Sequence, residues 1–154
     1  MAYNLSEHLH PLHHVGFVVK DLDKELDFYM NVLGFDFYNR WTEPVEEVED
    51  GFAVPGASLE LAQVTGHGCM LEFFRFMTSP GDDTPFEVNK VGTGHISFLV
   101  DNMDDAVACL KEHGIKFVSD PVRLPSSSWV MFFDPEGIRV EIMEFYQNNG
   151  FEDR

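Results

Sequence analysis

The sequence predicts an α+β fold of two repeated β-α-β-β-β modules. Three observations carry that expectation. HVGFVV (14–19) and HISFLV (95–100) share one pattern of His, apolar, small, Phe, aliphatic and Val. Each is followed by acidic residues that open an amphipathic stretch closing at a glycine: DLDKELDFYMNVLGF with Gly34, and DNMDDAVACLKEHGI with Gly114. Further on, GCMLEFFRF (68–76) matches GIRVEIMEF (137–145), with Gly, Glu and Phe at the same relative positions. Self-similarity of this kind means that one supersecondary unit occurs twice. The expected boundaries are 12–77 for the first module, 78–93 for a linker and 94–146 for the second module. Together they make one domain.

The elements follow from periodicity. Residues His14–Lys20 form a short apolar run with β-branched members, hence a strand. Leu22, Leu26, Tyr29 and Leu33 recur at helical intervals over 21–33, with Asp21 as N-cap and Gly34 past the end. Strands are expected near 35–42, 58–64 and 68–76. The second half gives a strand at 94–100, a helix near 103–113, and strands near 115–118, 128–133 and 137–145. The stretch 78–93 is rich in Pro, Asp and Gly and reads as connection. EPVEEVEDG (43–51) and SDPVRLPSSS (119–128) read as long loops at corresponding places, suited to cover a substrate.

Composition narrows the classes of partner. The chain has 154 residues with 27 Asp+Glu against 10 Lys+Arg, a formal net charge of −17. It has no basic stripe to neutralise phosphates, so nucleic acid and anionic membrane surfaces are not expected partners. No run of about 18 apolar residues suggests a bilayer span. MAYNLSEHLH lacks the basic-then-apolar order of a secretory signal. Cys69 and Cys109 fit no close metal or redox spacing and are expected to be buried thiols of a cytoplasmic protein.

Strand residues two apart share a face. His14 therefore shares a face with Gly16 and Val18, while His13 points the other way. Glu72 shares its face with Met70, Phe74 and Phe76. His95 goes with Ser97 and Leu99, and Glu141 with Arg139, Met143 and Phe145. A lone strand His or Glu is ordinarily a hydrogen-bonded or exposed residue. Recurrence of both types at repeat-equivalent positions is what a common site explains. If the halves are related by a pseudo-twofold, the four side chains converge near its axis. Two imidazoles and two carboxylates suit one divalent ion of the Zn, Ni, Co, Mn or Fe type.

The motifs LHHVGFVVKDLDKELDFYMNVLGF, GHISFLVDNMDDAV and FFDPEGIRVEIME resemble those of the vicinal oxygen chelate superfamily, over about residues 12–145. That superfamily includes glyoxalase I, methylmalonyl-CoA epimerase, extradiol dioxygenases and bleomycin-resistance proteins. The resemblance implies paired β-α-β-β-β modules making a cupped, barrel-like mixed sheet around one metal held by His14, Glu72, His95 and Glu141. A His/Glu/His/Glu set is similar to that of glyoxalase I, whereas the epimerase usually has Gln where Glu72 stands. Glyoxalase I typically carries an Arg and an Asn for glutathione where this sequence has Val18 and Phe76, which argues against a glutathione thioester.

The expected activity is that of a metal-dependent isomerase or lyase, glyoxalase-like or epimerase-like. Adjacent oxygens of a small substrate would chelate the ion while a proton alpha to a carbonyl moves. Glu141 is the first candidate to carry that proton and Glu72 the second. Arg139 is a candidate to pair a substrate carboxylate or phosphate, Arg123 to reach the mouth from its loop, and Phe74 to wall the cavity. His67 and His113 read as surface or turn residues. A homodimer is expected, with the site inside one chain or shared between two left open. The rival classes are an Fe(II) extradiol-type dioxygenase and a non-catalytic small-molecule-binding protein of the resistance type.

Overall fold

Apolar residues on alternate positions of 59–64 and 71–73 need a cover, and the helix after the first strand supplies it. The computed structural model describes residues 4–84 and 87–146. In the first half the elements are β1 (Val15–Val18), α1 (Leu22–Asn31), β2 (Asp36–Glu43), α2 (Val45–Phe52), β3 (Leu59–Gly66) and β4 (Cys69–Phe76). In the second they are β5 (Ile96–Leu99), α3 (Met103–Glu112), β6 (Val122–Arg123), β7 (Ser127–Phe133) and β8 (Arg139–Phe145). The strand orders are β1-β4-β3-β2 and β5-β8-β7-β6, so the two sheets have the same topology. In each, the first strand pairs parallel with the last and the other pairs run antiparallel. These are two separate sheets, not one closed barrel.

Asp21 caps α1 by accepting from Lys24 N at 3.1 Å, and Asn102 caps α3 by accepting from Asp105 N at 3.0 Å. Such caps satisfy backbone N–H groups that the first turn leaves open. Leu22, Leu26, Phe28 and Tyr29 of α1 join Val64, Leu71 and Phe73 of the first sheet in a core that continues through Met103, Leu110, Phe132 and Ile142. Each such buried side chain contributes about 1.5–3 kcal/mol by leaving water. The halves also lock through hydrogen bonds: the backbone N–H groups of Lys20 and Asp21 donate to Glu136 at 2.7 and 3.1 Å. A smaller apolar cluster of Val48, Ala57, Leu59 and Leu61 lies under α2.

Four expectations change. The acidic segment 43–51 contains a helix, α2, because Val45, Val48 and Phe52 line one side and Val48 packs on β3. The strand expected at 115–118 is reduced to a single bridge, Phe117 with Phe132, and the edge strand β6 forms inside the expected loop at 119–128. Pro121 explains the break, since it has no N–H for a ladder. Cys109 is exposed and Cys69 half-buried, so neither is a fully buried thiol. The barrel-like closure is absent from the strand pairing. Among the described residues no helix is long and apolar enough to cross a membrane.

Candidate active site

His14 and Glu72 meet because β1 and β4 run parallel in a register that sets Gly16 against Glu72. His14 Nε2 lies 3.4 Å from Glu72 Oε1. The other oxygen, Oε2, accepts a 2.6 Å hydrogen bond from the amide of Gln63, the residue opposite on β3. The Glu72 side chain is 10% exposed and the His14 ring 37%, so the pair opens outward through its imidazole. His14 Nδ1 is 2.8 Å from His13 Nδ1. Strand alternation predicts His13 on the other face. Both rings precede β1, however, where alternation does not bind them, and they meet edge-on.

The second half repeats the pair with a different support. Ser97 stands against Glu141 where Gly16 stands against Glu72. Its hydroxyl donates to Glu141 Oε2 at 2.7 Å, and His95 Nε2 lies 3.6 Å from the same oxygen. Opposite Glu141 on β7 is Met131, where the first half has Gln63. Reading the sequence misses Gln63, and it places Ser97 on the His95 face without giving it a role. Ser97 carries a faint signal, since it fills the small position of the repeated His-apolar-small-Phe motif.

Phe74 packs against Gly16, the residue opposite Glu72 on β1. A Cβ on Gly16 would sit 2.8 Å from Phe74 Cε1, so the glycine leaves room for the ring. Phe74 in turn meets Phe52 of α2, with ring centroids 6.0 Å apart. Arg139 shares the Glu141 face of β8 and stacks its guanidinium 5.5 Å from the centre of Phe133. Arg123 is tied to Asp104 in the first turn of α3 at 2.5 Å rather than to either pair. Hydrogen bonds to Tyr146 and Asp104 raise its already high pKa. His67 occupies the β3–β4 turn with φ 49° and contacts the Leu33 carbonyl at 2.7 Å. His113 caps the end of α3, its Nδ1 2.9 Å from the Cys109 carbonyl. A cleft of about 490 Å³ runs between the halves past Leu33, Phe35, His67, Phe98 and Cys109, and reaches Ser97.

Imidazole nitrogen and carboxylate oxygen are the donors that a borderline divalent ion takes. Each pair offers two of them, half of a four-ligand set. Within one chain the pairs remain two: among the described residues, no three or more His, Cys, Asp or Glu side chains gather where they could hold a metal.

The family model described as Glyoxalase/Bleomycin resistance protein/Dioxygenase superfamily matches residues 11–142. The chain belongs to this superfamily. Lactoylglutathione lyase of Schizosaccharomyces pombe is 31% identical over 151 residues, covering 93% of this chain and half the length of that enzyme. Mitochondrial methylmalonyl-CoA epimerase of Bos taurus is 31% identical over 140 residues, covering 85% of this chain and 72% of the bovine protein. Among solved structures, a glyoxalase family protein from Bacillus cereus superposes with a TM-score of 0.78 at 25% identity, covering 89% of this chain and 95% of that one.

Proposed function

We propose that this chain is a metal-dependent isomerase or lyase that moves a proton alpha to a carbonyl in a small oxygenated substrate. It would work as a homodimer in which His14 and Glu72 of one copy meet His95 and Glu141 of the other. The observation that carries this reading is the recurrence of an imidazole–carboxylate pair at repeat-equivalent positions, 3.4 Å apart in one half and 3.6 Å in the other. Sharing between copies is supported by the open strand edges: β1 and β5 each have one partner strand. Val15 (40% exposed), Val18 (60%) and Leu99 (56%) on these strands face solvent. Unpaired edges with exposed apolar side chains favour association with a second copy. The relatives that are a lyase and an epimerase by name support the class of reaction.

His14, Glu72, His95 and Glu141 would hold the ion. When bound, such an ion polarises the substrate oxygens and steadies the negative charge that develops beside the carbonyl. Glu141 takes the alpha proton on a carboxylate oxygen and returns it to carbon, with Glu72 second in line. Phe74, braced by Phe52, gives the Glu72 side of the first pair an apolar neighbour. Arg139 is placed on the Glu141 face to pair a substrate carboxylate or phosphate. Val18 and Phe76 offer no cation or amide to a glutathione tail, which favours a smaller ligand. Four protein donors also suit proton transfer better than dioxygen chemistry, which needs open iron positions.

The test is incubation in deuterium oxide with 2-hydroxy- and 2-oxo-carbonyl compounds, read by mass spectrometry. Metal-loaded protein should place deuterium alpha to the carbonyl of one of them without consuming oxygen. Glu141→Gln should lose the exchange and retain some metal. Oxygen-dependent ring cleavage of a catechol by iron-loaded protein would replace this reading with a dioxygenase.

A further inference from the structure

The proposed reaction makes no use of His67 or of the cleft that it lines. His67 and Gly68 form the two-residue turn between β3 and β4, with φ of 49° and 78°. Positive φ at both positions is the hairpin geometry that Asn or Asp before Gly adopts at least cost. A histidine is not what this turn selects, yet its ring is held by three contacts. Nε2 lies 2.7 Å from the Leu33 carbonyl, and the ring meets Phe35 and Phe98 edge-on, with centroids 5.0 and 6.0 Å away. Gly66 leaves room for this arrangement, since a Cβ there would lie 3.0 Å from Phe35 Cδ1. Phe35 belongs to the first half and Phe98 to β5 of the second, so the ring sits where the halves meet. A carbonyl only accepts, so Nε2 carries the proton and Nδ1 of the neutral ring keeps a lone pair. Nδ1 has no hydrogen-bond partner among the described residues. The cleft itself has about 490 Å³, the size of a pocket for a small organic molecule. None of the residues lining it is Asp, Glu, Lys or Arg, in a chain with 27 acidic and 10 basic residues. An anion would find no cation there, and neither would the acidic surface of a second copy.

We infer that this cleft is a second ligand site, for a small neutral aromatic molecule that donates one N–H or O–H to His67 Nδ1. Apolar walls favour an aromatic body, which buries a large area at little cost in freedom. The single unbonded acceptor selects for a donor, because a ligand without one would strip water from Nδ1 and give nothing back. A molecule held there touches Leu33, Phe35 and His67 of the first half and Phe98, Cys109 and Leu110 of the second. It binds the halves as the fold arranges them, and so stabilises the native chain in proportion to its occupancy. The cleft adjoins the candidate active site at Ser97, whose hydroxyl bonds to Glu141. It needs neither the ion nor the four residues proposed to hold it.

The test uses the whole protein at about pH 8, where an imidazole is ordinarily neutral. The probes are indole, 1-methylindole, which lacks the N–H, and indole-3-carboxylate, which adds a charge. Calorimetry should give indole a dissociation constant of about 1 mM or below, and 1-methylindole one about fivefold weaker or more. Indole-3-carboxylate should show no binding in the same range. Alkylation of the exposed Cys109 by iodoacetamide, read by peptide mass spectrometry, locates the ligand. Indole should slow it, half-maximally at the calorimetric constant. In His67→Phe, indole and 1-methylindole should bind alike. If that variant fails to fold at a positive φ, His67→Asn suits the turn, withdraws the acceptor on a shorter side chain and should show the same levelling. No binding of indole, equal binding of the three probes, binding that leaves Cys109 unprotected, or a preference for indole that survives the substitution would overturn the site. Cys109 that resists alkylation in the free protein would show a second copy in the cleft and overturn it as well. Deuterium exchange by metal-loaded protein is a separate readout, so failure of this site leaves the proposed function standing.

Discussion

Glu25 is a carboxyl that the fold buries completely, beside the carboxyl of Asp134. Burial first, and then the charge of Asp134, push its pKa up from 4.5 to about 10; Glu136 adds to the rise and Lys24 opposes it. Burial raises Asp134 too, but its carboxylate accepts from Tyr29 Oη at 3.1 Å, Glu136 N at 3.1 Å and Ile138 N at 2.8 Å. Three donors make Asp134 the ionised member, so Glu25 carries the proton. The folded chain then holds a proton that the unfolded chain releases above its ordinary pKa. The stability from this group is complete below about pH 4.5 and is lost as pH rises toward 10, by up to about 1.4 kcal/mol per pH unit. Glu25→Gln keeps the shape and needs no proton. It should melt above wild type near pH 8, with the advantage shrinking toward about pH 5; parallel melting curves for the two proteins across this range would refute the assignment. At Gly16 the issue is space. Gly16→Ala should cost about 1–3 kcal/mol in urea unfolding, because its Cβ enters the Phe74 ring and the ring is braced by Phe52. An unchanged midpoint would show that Phe74 moves freely.

Among the elements, α2 shows where charge obscures pattern. Glu43, Glu46, Glu47, Glu49 and Asp50 make the segment look like a solvated loop, yet Val45, Val48 and Phe52 recur at helical intervals. Glu46 and Glu47 in the first turn also suit the positive end of the helix dipole. Val48, 2% exposed, anchors the helix over Leu59 and Leu61. Val48→Ala should cost about 1–3 kcal/mol and free α2 before the sheet beneath it. Hydrogen exchange checks this: amides of 45–52 should speed up more than those of β3, whereas a uniform rise would mean that α2 and the sheet open together. The strands at the start and end of each half were legible because the repeat spells them twice. The strand after α3 was not, because Pro121 divides it into a bridge at Phe117 and the short β6. The positions of Gln63 and Ser97 at the site depend on register between strands, over separations of 9 and 44 residues to their glutamates, which no local pattern encodes.

For the whole molecule, the halves of one chain are joined by a continuous core and by Glu136 bridging to Lys20 and Asp21, while the two His–Glu pairs stay separate. In the arrangement proposed above, a second copy would complete the four-donor site, and C2 symmetry would then make two identical sites. Metal that binds only the folded dimer should raise the melting temperature above that of chelator-treated protein, and an identical melt for the two forms would argue against a resident ion. The most direct test mixes two crippled chains, His14→Ala and His95→Ala, refolded together under different tags and isolated as the heterodimer. One of its two sites then lacks both histidines and the other is intact. Each parent homodimer should bind almost no nickel, and the heterodimer about one ion per dimer, since symmetry pairs the intact first half of one copy with the intact second half of the other. A heterodimer as empty as its parents would place the site within a single chain and contradict the shared arrangement.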